Sequence, residues 1–264
     1  MDLIKEFNLE TYKQFTDGKK VLEANNKLCS YNSSIPRLNP VTLIDLQLMM
    51  TRYNLSARRM STLYPFENLQ LATSLDSQSL DTYLYSTSIS ATARAVMEVA
   101  VRAIFGFEAS QLNALFGLVY GKSGGGSMDT LALTEKDCAQ ENRIKGGAQQ
   151  ISTKLLEAVQ KVSNERYPTH VVFETALDEL IQDNNDTCQL VFKSVKDNTK
   201  KSVFTAKKVI SSIPTSEYTK IKFTPDLPFY KRNVFKFCQM GNYAKLIGKK
   251  LYLSLIHISQ GIVR

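Results

Sequence analysis

Hydrophobic positions recur at two different periods along this chain, and the change of period divides it. From Val41 to about Tyr53 the apolar residues Leu43, Ile44, Leu46 and Met49 or Met50 return at helical spacing, behind the proline-bounded loop Ser34-Ile-Pro-Arg-Leu-Asn-Pro40. Residues 76–122 are strongly helical in pattern. Asp76 can cap a short helix through Leu80 and Tyr83. Ser88 or Ser90 can cap an alanine-rich helix closing at Phe105-Gly106. A third helix, Glu108 to Tyr120, has Leu112, Leu115, Phe116 and Val119 on one face. A polar approach, Cys138-Ala-Gln-Glu-Asn-Arg-Ile-Lys145, then reaches the pair Gly146-Gly147, and a further helix is predicted from about Ala148 to Val162.

Beyond about residue 165 the period becomes two. Strands are predicted at Val171-Val-Phe-Glu, at Cys188-Gln-Leu-Val-Phe-Lys-Ser, and from Ser202-Val-Phe-Thr through Val209-Ile-Ser-Ser-Ile213, with Asp183-Asn-Asn-Asp186 as a hairpin turn. This switch is the clearest internal boundary, and the fold class it predicts is α+β. The N-terminal Met-Asp-Leu-Ile-Lys-Glu-Phe reads as the end of an amphipathic helix rather than a secretory signal.

Composition narrows the picture modestly. Of the 264 residues, 43% are apolar and 22% charged, which suits a globular chain with a sizeable core. No apolar run approaches the roughly eighteen residues of a membrane-crossing helix. Cys29, Cys138, Cys188 and Cys238 are widely separated, and His170 and His257 fall at no zinc spacing with them, so no metal is expected and the thiols are read as reduced. Net charge is +8, concentrated in residues 191–250, where fourteen Lys/Arg face three Asp/Glu. That raises nucleic acid as a partner. No recognition motif or stacking platform accompanies the charge, so a solvated face of lysine-bearing strands is preferred and no nucleic-acid partner is expected.

Catalytic side chains are scarce. No Ser/His/Asp set or distinctive acidic pair can be argued, which leaves chemistry supplied by a cofactor. Gly121-Lys-Ser-Gly-Gly-Gly126 contains the end of a phosphate-loop motif, but the glycine required five residues earlier is Phe116 and no strand precedes it, so a flexible glycine-rich turn is expected.

Several separated segments resemble the flavin amine oxidase family, and monoamine oxidases in particular. Ile4-Lys-Glu-Phe-Asn-Leu-Glu-Thr-Tyr-Lys13 looks like the helix-to-strand passage after the family's first flavin-binding segment. Residues 103–123 resemble the paired helices lining its substrate cavity, and residues 140–152 the strand, diglycine turn and helix beneath the flavin. Val209-Ile-Ser-Ser-Ile-Pro214 with Ile221-Lys-Phe-Thr-Pro-Asp-Leu-Pro228 resembles the family's strand, proline turn and F-x-P-x-L-P link. Met240-Gly-Asn-Tyr-Ala-Lys245 resembles the segment that carries a lysine beside the flavin.

The resemblance spans about residues 1–248 and implies an FAD-dependent enzyme oxidising a small-molecule amine with O2. It implies that Lys245 holds a water near the flavin and that Gln140 orients the amine. Thr130 and Leu131 would fall near the cavity-gating pair, and Leu177 and Ile213 where backbone approaches the cofactor. It divides the chain into a largely helical substrate-binding domain (1–147), a partial FAD-binding domain (148–234) and the start of a returning substrate-domain sheet (235–250). The family's G-x-G-x-x-G turn and its C-terminal flavin-closing segment have no counterpart here, and residues 251–264 look like a non-native tail. An incomplete, inactive piece is therefore expected. Polyamine or L-amino-acid oxidation, and a non-catalytic binding protein on the same scaffold, remain alternatives. Homodimerisation and a membrane or cytoplasmic location, including the mitochondrial outer membrane, are left open for the full-length protein.

Overall fold

The computed structural model describes residues 2–24, 26–32, 36–86, 88–163, 168–183 and 186–244. In chain order the elements are α1 (Asp2–Glu6), β1 (Thr11–Lys13), β2 (Lys20–Ala24), β3 (Lys27–Tyr31), α2 (Pro40–Arg59), α3 (Leu69–Asp76), α4 (Leu80–Tyr85), α5 (Ala91–Phe105), α6 (Ala114–Ser123), α7 (Met128–Ala132), β4 (Asn142–Ile144), α8 (Gln149–Val162), β5 (Thr175–Gln182), β6 (Cys188–Ser194), β7 (Lys201–Ala206), β8 (Lys222–Thr224) and α9 (Phe229–Phe237). Short 3-10 turns occupy Ala109–Gln111 and Thr215–Lys220. The fold class is α+β, as expected. Two compact units are present. One comprises residues 1–154 and the chain from Asn242 onward, the other Leu155–Gly241.

The first unit is built on α2. Asn39 caps it, its side-chain oxygen accepting from the Thr42 amide at 2.8 Å, and Pro40 takes the first helical position, where no amide hydrogen is needed. The helix runs past the expected end at Tyr53, because Met49, Tyr53 and Ala57 keep one face apolar until Arg58 and Arg59 close the last turn. That face packs on Leu80 and Leu84 of α4, Met97 and Val101 of α5, and Leu115 and Leu118 of α6. Ser90 caps α5 and Gly106 ends it in the left-handed conformation, as the sequence predicts.

Two helical expectations change. Asp76 ends α3, and the cap of α4 is Ser79, whose hydroxyl accepts from the Thr82 amide at 3.1 Å. The single helix expected over Glu108–Tyr120 is broken into the 3-10 turn and α6. Glu108 and Gln111 form a capping box, Leu112 and Asn113 are extended, and Asn113 caps α6 by accepting from the Phe116 amide at 3.0 Å. The helical apolar spacing survives this break, so periodicity alone reads through it. Asp45, buried in α2, is a further helix-start device that the sequence leaves unmarked. Its Oδ2 accepts from the Ser88 hydroxyl (2.7 Å) and the amides of Ile89 (3.1 Å) and Ser90 (2.8 Å), holding the turn that starts α5.

The second unit carries a sheet of order β7-β6-β5-β8, with antiparallel pairs except β5–β8, which is parallel. β5 and β6 pair antiparallel on either side of the turn expected at residues 183–186, of which 184 and 185 lie outside the described residues. Val171–Phe173 are exposed and outside any strand. Pairing begins only after Glu174, whose φ of 58° turns the chain. Val209–Ile213 likewise is not a strand, and Ile210 is almost fully exposed.

Several lysines in and beside this sheet face carboxylates on neighbouring strands and turns. Lys193 and Lys201 both pair with Asp178, Lys222 with Glu179 at 2.7 Å, and Lys196 with Glu174 at 2.6 Å. The hydrogen bond from Lys193, above all, holds the Asp178 carboxyl below the usual range. These pairs are exposed at the sheet surface and tie neighbouring strands and turns to one another.

Candidate functional site

The segment that ends at Gln140 begins in the glycine run. Gly125 and Gly126 have φ of 106° and 83°, and the Gly126 amide donates to the Gly121 carbonyl at 2.8 Å. These glycines are packed, which corrects the expectation of a flexible turn. A Cβ on Gly124 would lie 2.2 Å from Cδ2 of Leu131, one on Gly125 3.2 Å from Oγ1 of Thr130, and one on Gly121 2.3 Å from the Tyr53 hydroxyl. The close approach seats α7 against the end of α6. Ser127 caps α7 by accepting from the Thr130 amide at 3.1 Å, while Oδ1 of Asn54 on α2 accepts from the Met128 amide at 2.9 Å.

The chain then folds back on α7. The Ala139 amide donates to the Thr130 carbonyl at 2.7 Å and the Gln140 amide to the Leu133 carbonyl at 3.3 Å. Thr130, Leu131 and Gln140 are thus brought together by backbone bonds. Leu131 is buried, Thr130 half-buried and Gln140 exposed, and the Gln140 side chain makes no hydrogen bond among the described residues. Gln140 lies in a turn, just before the three-residue β4. That strand pairs antiparallel with β1, Arg143 opposite Tyr12, and Lys145 reaches Glu10 at 2.7 Å. Gly146 and Gly147 then turn the chain into α8 with φ of 83° and 97°.

A second convergence lies at the end of α5. Phe105 packs on Tyr120 with ring centroids 5.0 Å apart, and Phe116 sits 6.2 Å from both rings. The segment expected to carry the lysine docks beside them. The Asn242 amide donates to the Gly106 carbonyl at 3.0 Å, and the Tyr243 hydroxyl to the Ile104 carbonyl at 2.7 Å. Burial, then the neighbouring Tyr120, push the Tyr243 phenol up. Gly106 is required here, since a Cβ would lie 2.8 Å from the Tyr243 ring and 2.9 Å from the Asn242 nitrogen. Lys245 itself falls outside the described residues. Tyr243 and Asn242 were not singled out in the sequence; a glycine closing α5 is a helix-end signal and gives no hint of a second role as a docking floor.

Above this end of α5, Glu98 accepts from the Tyr85 hydroxyl at 2.8 Å and the Ala109 amide at 2.9 Å, while Arg102 clasps Glu108 at 2.8 and 2.6 Å. Burial holds the Glu98 carboxyl above its ordinary range, and the Arg102 guanidinium holds Glu108 below it. These bonds staple α4, α5 and the 3-10 turn together. Leu177 and Ile213 belong to the other unit. Both are half-buried, Leu177 opposite Phe192 in the β5–β6 pair and Ile213 just before Pro214.

Among the described residues no three His, Cys, Asp or Glu side chains come together as metal ligands, and no helix is long and apolar enough to cross a membrane. Residues 103–140 thus supply an aromatic cluster, a packed small-residue turn and, separately, one exposed side-chain amide. That inventory suits orienting a small molecule whose chemistry is done by another group.

The sequence model of flavin-containing amine oxidoreductases matches residues 1–248. The chain belongs to that family. A putative flavin-containing monoamine oxidase, AofH, of Mycobacterium tuberculosis is 29% identical over 150 residues, 57% of this chain and 32% of that protein. Human flavin-containing amine oxidase B is 24% identical over 247 residues, 93% of this chain and 44% of that protein. Among solved structures, putrescine oxidase bound to putrescine superposes with a TM-score of 0.71 at 20% identity, covering 89% of this chain and 49% of that one. Cyclohexylamine oxidase from Brevibacterium oxydans gives 0.69 at 18% identity, covering 89% and 48%. The chain spans less than half the length of the relatives it matches.

FAD is the cofactor of this family. The residues described here do not form a cradle for its pyrophosphate. The diglycine turn that leads into α8 is closed on itself: the Gly147 amide donates to the Ile144 carbonyl at 2.9 Å, and the Gln150 side chain donates back to the Lys145 and Gly147 carbonyls. A Cβ on Gly146 would meet Nε2 of Gln150 at 2.7 Å, so this side chain folds over the turn. None of the twelve glycines stands in a G-x-G-x-x-G turn.

Proposed function

We propose that this chain is the substrate-side part of an amine oxidase that converts a primary or secondary amine to an imine, which hydrolyses to an aldehyde, with O2 reduced to H2O2. The observation that carries the proposal is the family match over residues 1–248, together with the grouping of Thr130, Leu131 and Gln140 by the fold-back on α7. In this reading Gln140 orients the amine through its uncommitted amide, and Thr130 and Leu131 set the passage beside it. Lys245, two residues beyond the Tyr243 anchor, holds a water beside the flavin. Leu177 and Ile213 are the positions at which backbone approaches the cofactor. Residues 1–147 act as the substrate-binding domain, 148–234 as part of the flavin-binding domain and 235–250 as the returning segment, while 251–264 play no part.

The same reading holds that these 264 residues alone do not retain FAD. Purified chain incubated with FAD and passed through gel filtration is expected to emerge without flavin absorbance. Stoichiometric retained flavin would overturn that half of the proposal. The other half is tested on the product of the full transcript, assayed with a panel of primary and secondary amines by peroxidase-coupled detection of H2O2. Amine-dependent peroxide release is expected. No release from any amine by a flavin-loaded product would sink the assignment.

A further inference from the structure

Helix α9 presents a surface that the amine oxidase reading does not use. Its sequence, Phe229-Tyr-Lys-Arg-Asn-Val-Phe-Lys-Phe237, interleaves aromatic and basic residues without an acid. At helical pitch, Phe229, Tyr230, Val234 and Phe237 fall within an arc of about 140°, which also holds the half-buried Asn233. The exposures of those four apolar residues are 72, 65, 50 and 71%, so they are uncovered. Phe235 lies roughly opposite. Its ring stacks on Tyr218 at 4.4 Å, and Tyr218 stacks on Phe223 of β8 at 6.2 Å, pinning the helix by its inner side. Lys231 lies beyond one edge of the exposed arc, and Arg232 and Lys236 beyond the other.

Lys231 and Lys236 have no carboxylate partner among the described residues, and Arg232 reaches only the exposed Asp226 at 3.4 Å. Exposed apolar side chains along most of the arc, with cations along both edges, is the arrangement of a helix lying in a lipid interface, where apolar side chains enter the acyl boundary and cations meet headgroup phosphates. A nucleic-acid surface would instead put cations on the outermost line, where the phosphates run.

We propose that α9 is an interfacial helix that binds the surface of an anionic lipid bilayer. The test uses the whole chain and vesicle flotation, with vesicles of phosphatidylcholine alone and of phosphatidylcholine with phosphatidylserine. Binding to the anionic vesicles is expected, weakening as salt is raised. Lys231→Gln and Lys236→Gln each reduce it about five-fold. The double variant Phe229→Ser/Phe237→Ser abolishes it even at low salt. These four side chains are exposed and the Phe235–Tyr218 stack is untouched, so an unchanged thermal melt confirms that the variants remain folded. Absence of flotation with anionic vesicles overturns the proposal, as does flotation indifferent to both sets of substitutions. Two other outcomes also overturn it. One is self-association that Phe229→Ser/Phe237→Ser removes with no lipid binding, marking a contact between copies. The other is RNA binding lost in the lysine variants with no lipid binding.

Discussion

Replacing Gly121 with alanine sets two effects of opposite sign against each other, and the structure says which wins. Gly121 lies in the last turn of α6, and alanine is the better helix former by about 1 kcal/mol. Were the following glycine run a loose turn, Gly121→Ala would stabilise the protein by roughly that amount. The added Cβ, however, would stand 2.3 Å from the Tyr53 hydroxyl oxygen and 2.9 Å from two carbons of its ring. Tyr53 is wholly buried in the core between α2 and α6, and its hydroxyl donates to the Gly117 carbonyl at 2.7 Å. Either the ring moves or α6 does. Overpacking of this kind costs about 1–3 kcal/mol, and a buried hydroxyl pulled off its acceptor costs a further 1–3 kcal/mol or so. Net destabilisation of about 3 kcal/mol follows. Urea unfolding followed by far-ultraviolet circular dichroism measures it as a lower midpoint at unchanged slope. In a Tyr53→Phe background the atom at 2.3 Å is gone while the ring carbons remain, so the cost of Gly121→Ala should fall by about 1 kcal/mol or more. A Gly121→Ala protein as stable as the parent, or more so, would refute the packed-turn account.

Asp45→Ala removes the acceptor of three hydrogen bonds at the start of α5. A loss of about 3 kcal/mol is expected, with Asp45→Asn keeping part of it; equal melting temperatures for Ala and parent would contradict this. Gly106→Ala puts a Cβ at a φ of 69° and against the Tyr243 ring and the Asn242 nitrogen. Hydrogen exchange in a peptide spanning 240–244 should therefore accelerate at least ten-fold or so, while that of α2 changes far less. Asp178 titrates low because Lys193 and Lys201 favour its charged form. Its contribution to stability is therefore present above the ordinary aspartate pKa of about 4, and is lost as pH falls through the lower folded value. Carboxyl titration by NMR should show its midpoint rising in Lys193→Met, and an unmoved midpoint would remove the lysine as cause.

Local rules and global geometry divided the work unevenly. The helix ends read from the sequence at Ser90 and Gly106 stand, because a cap is a contact within a few residues. The switch of period near residue 165 marks where helices give way to the sheet, since side-chain alternation follows directly from the pleat. Where a helix breaks without losing its apolar spacing, as at Leu112–Asn113, pattern alone reads straight through. The strand expected at Val171–Glu174 shifted to Thr175–Gln182 because a positive φ at Glu174, not the side-chain sequence, decides where pairing begins.

What the amino-acid sequence determined by itself is therefore the α+β class, the course of α5 and α8 and, through residues 1–248, membership of the flavin-containing amine oxidoreductases. Only the tertiary structure decided that Gly121, Gly124 and Gly125 are packing contacts rather than slack, that Gly106 is the floor for Tyr243, and that Asp45 starts a helix some forty-five residues away in the chain. Each of these depends on an atom contributed by a distant segment. A sequence pattern records the propensity of neighbours along the chain; it does not record which remote side chain will occupy the space a glycine leaves, or which remote amide a buried carboxylate will meet.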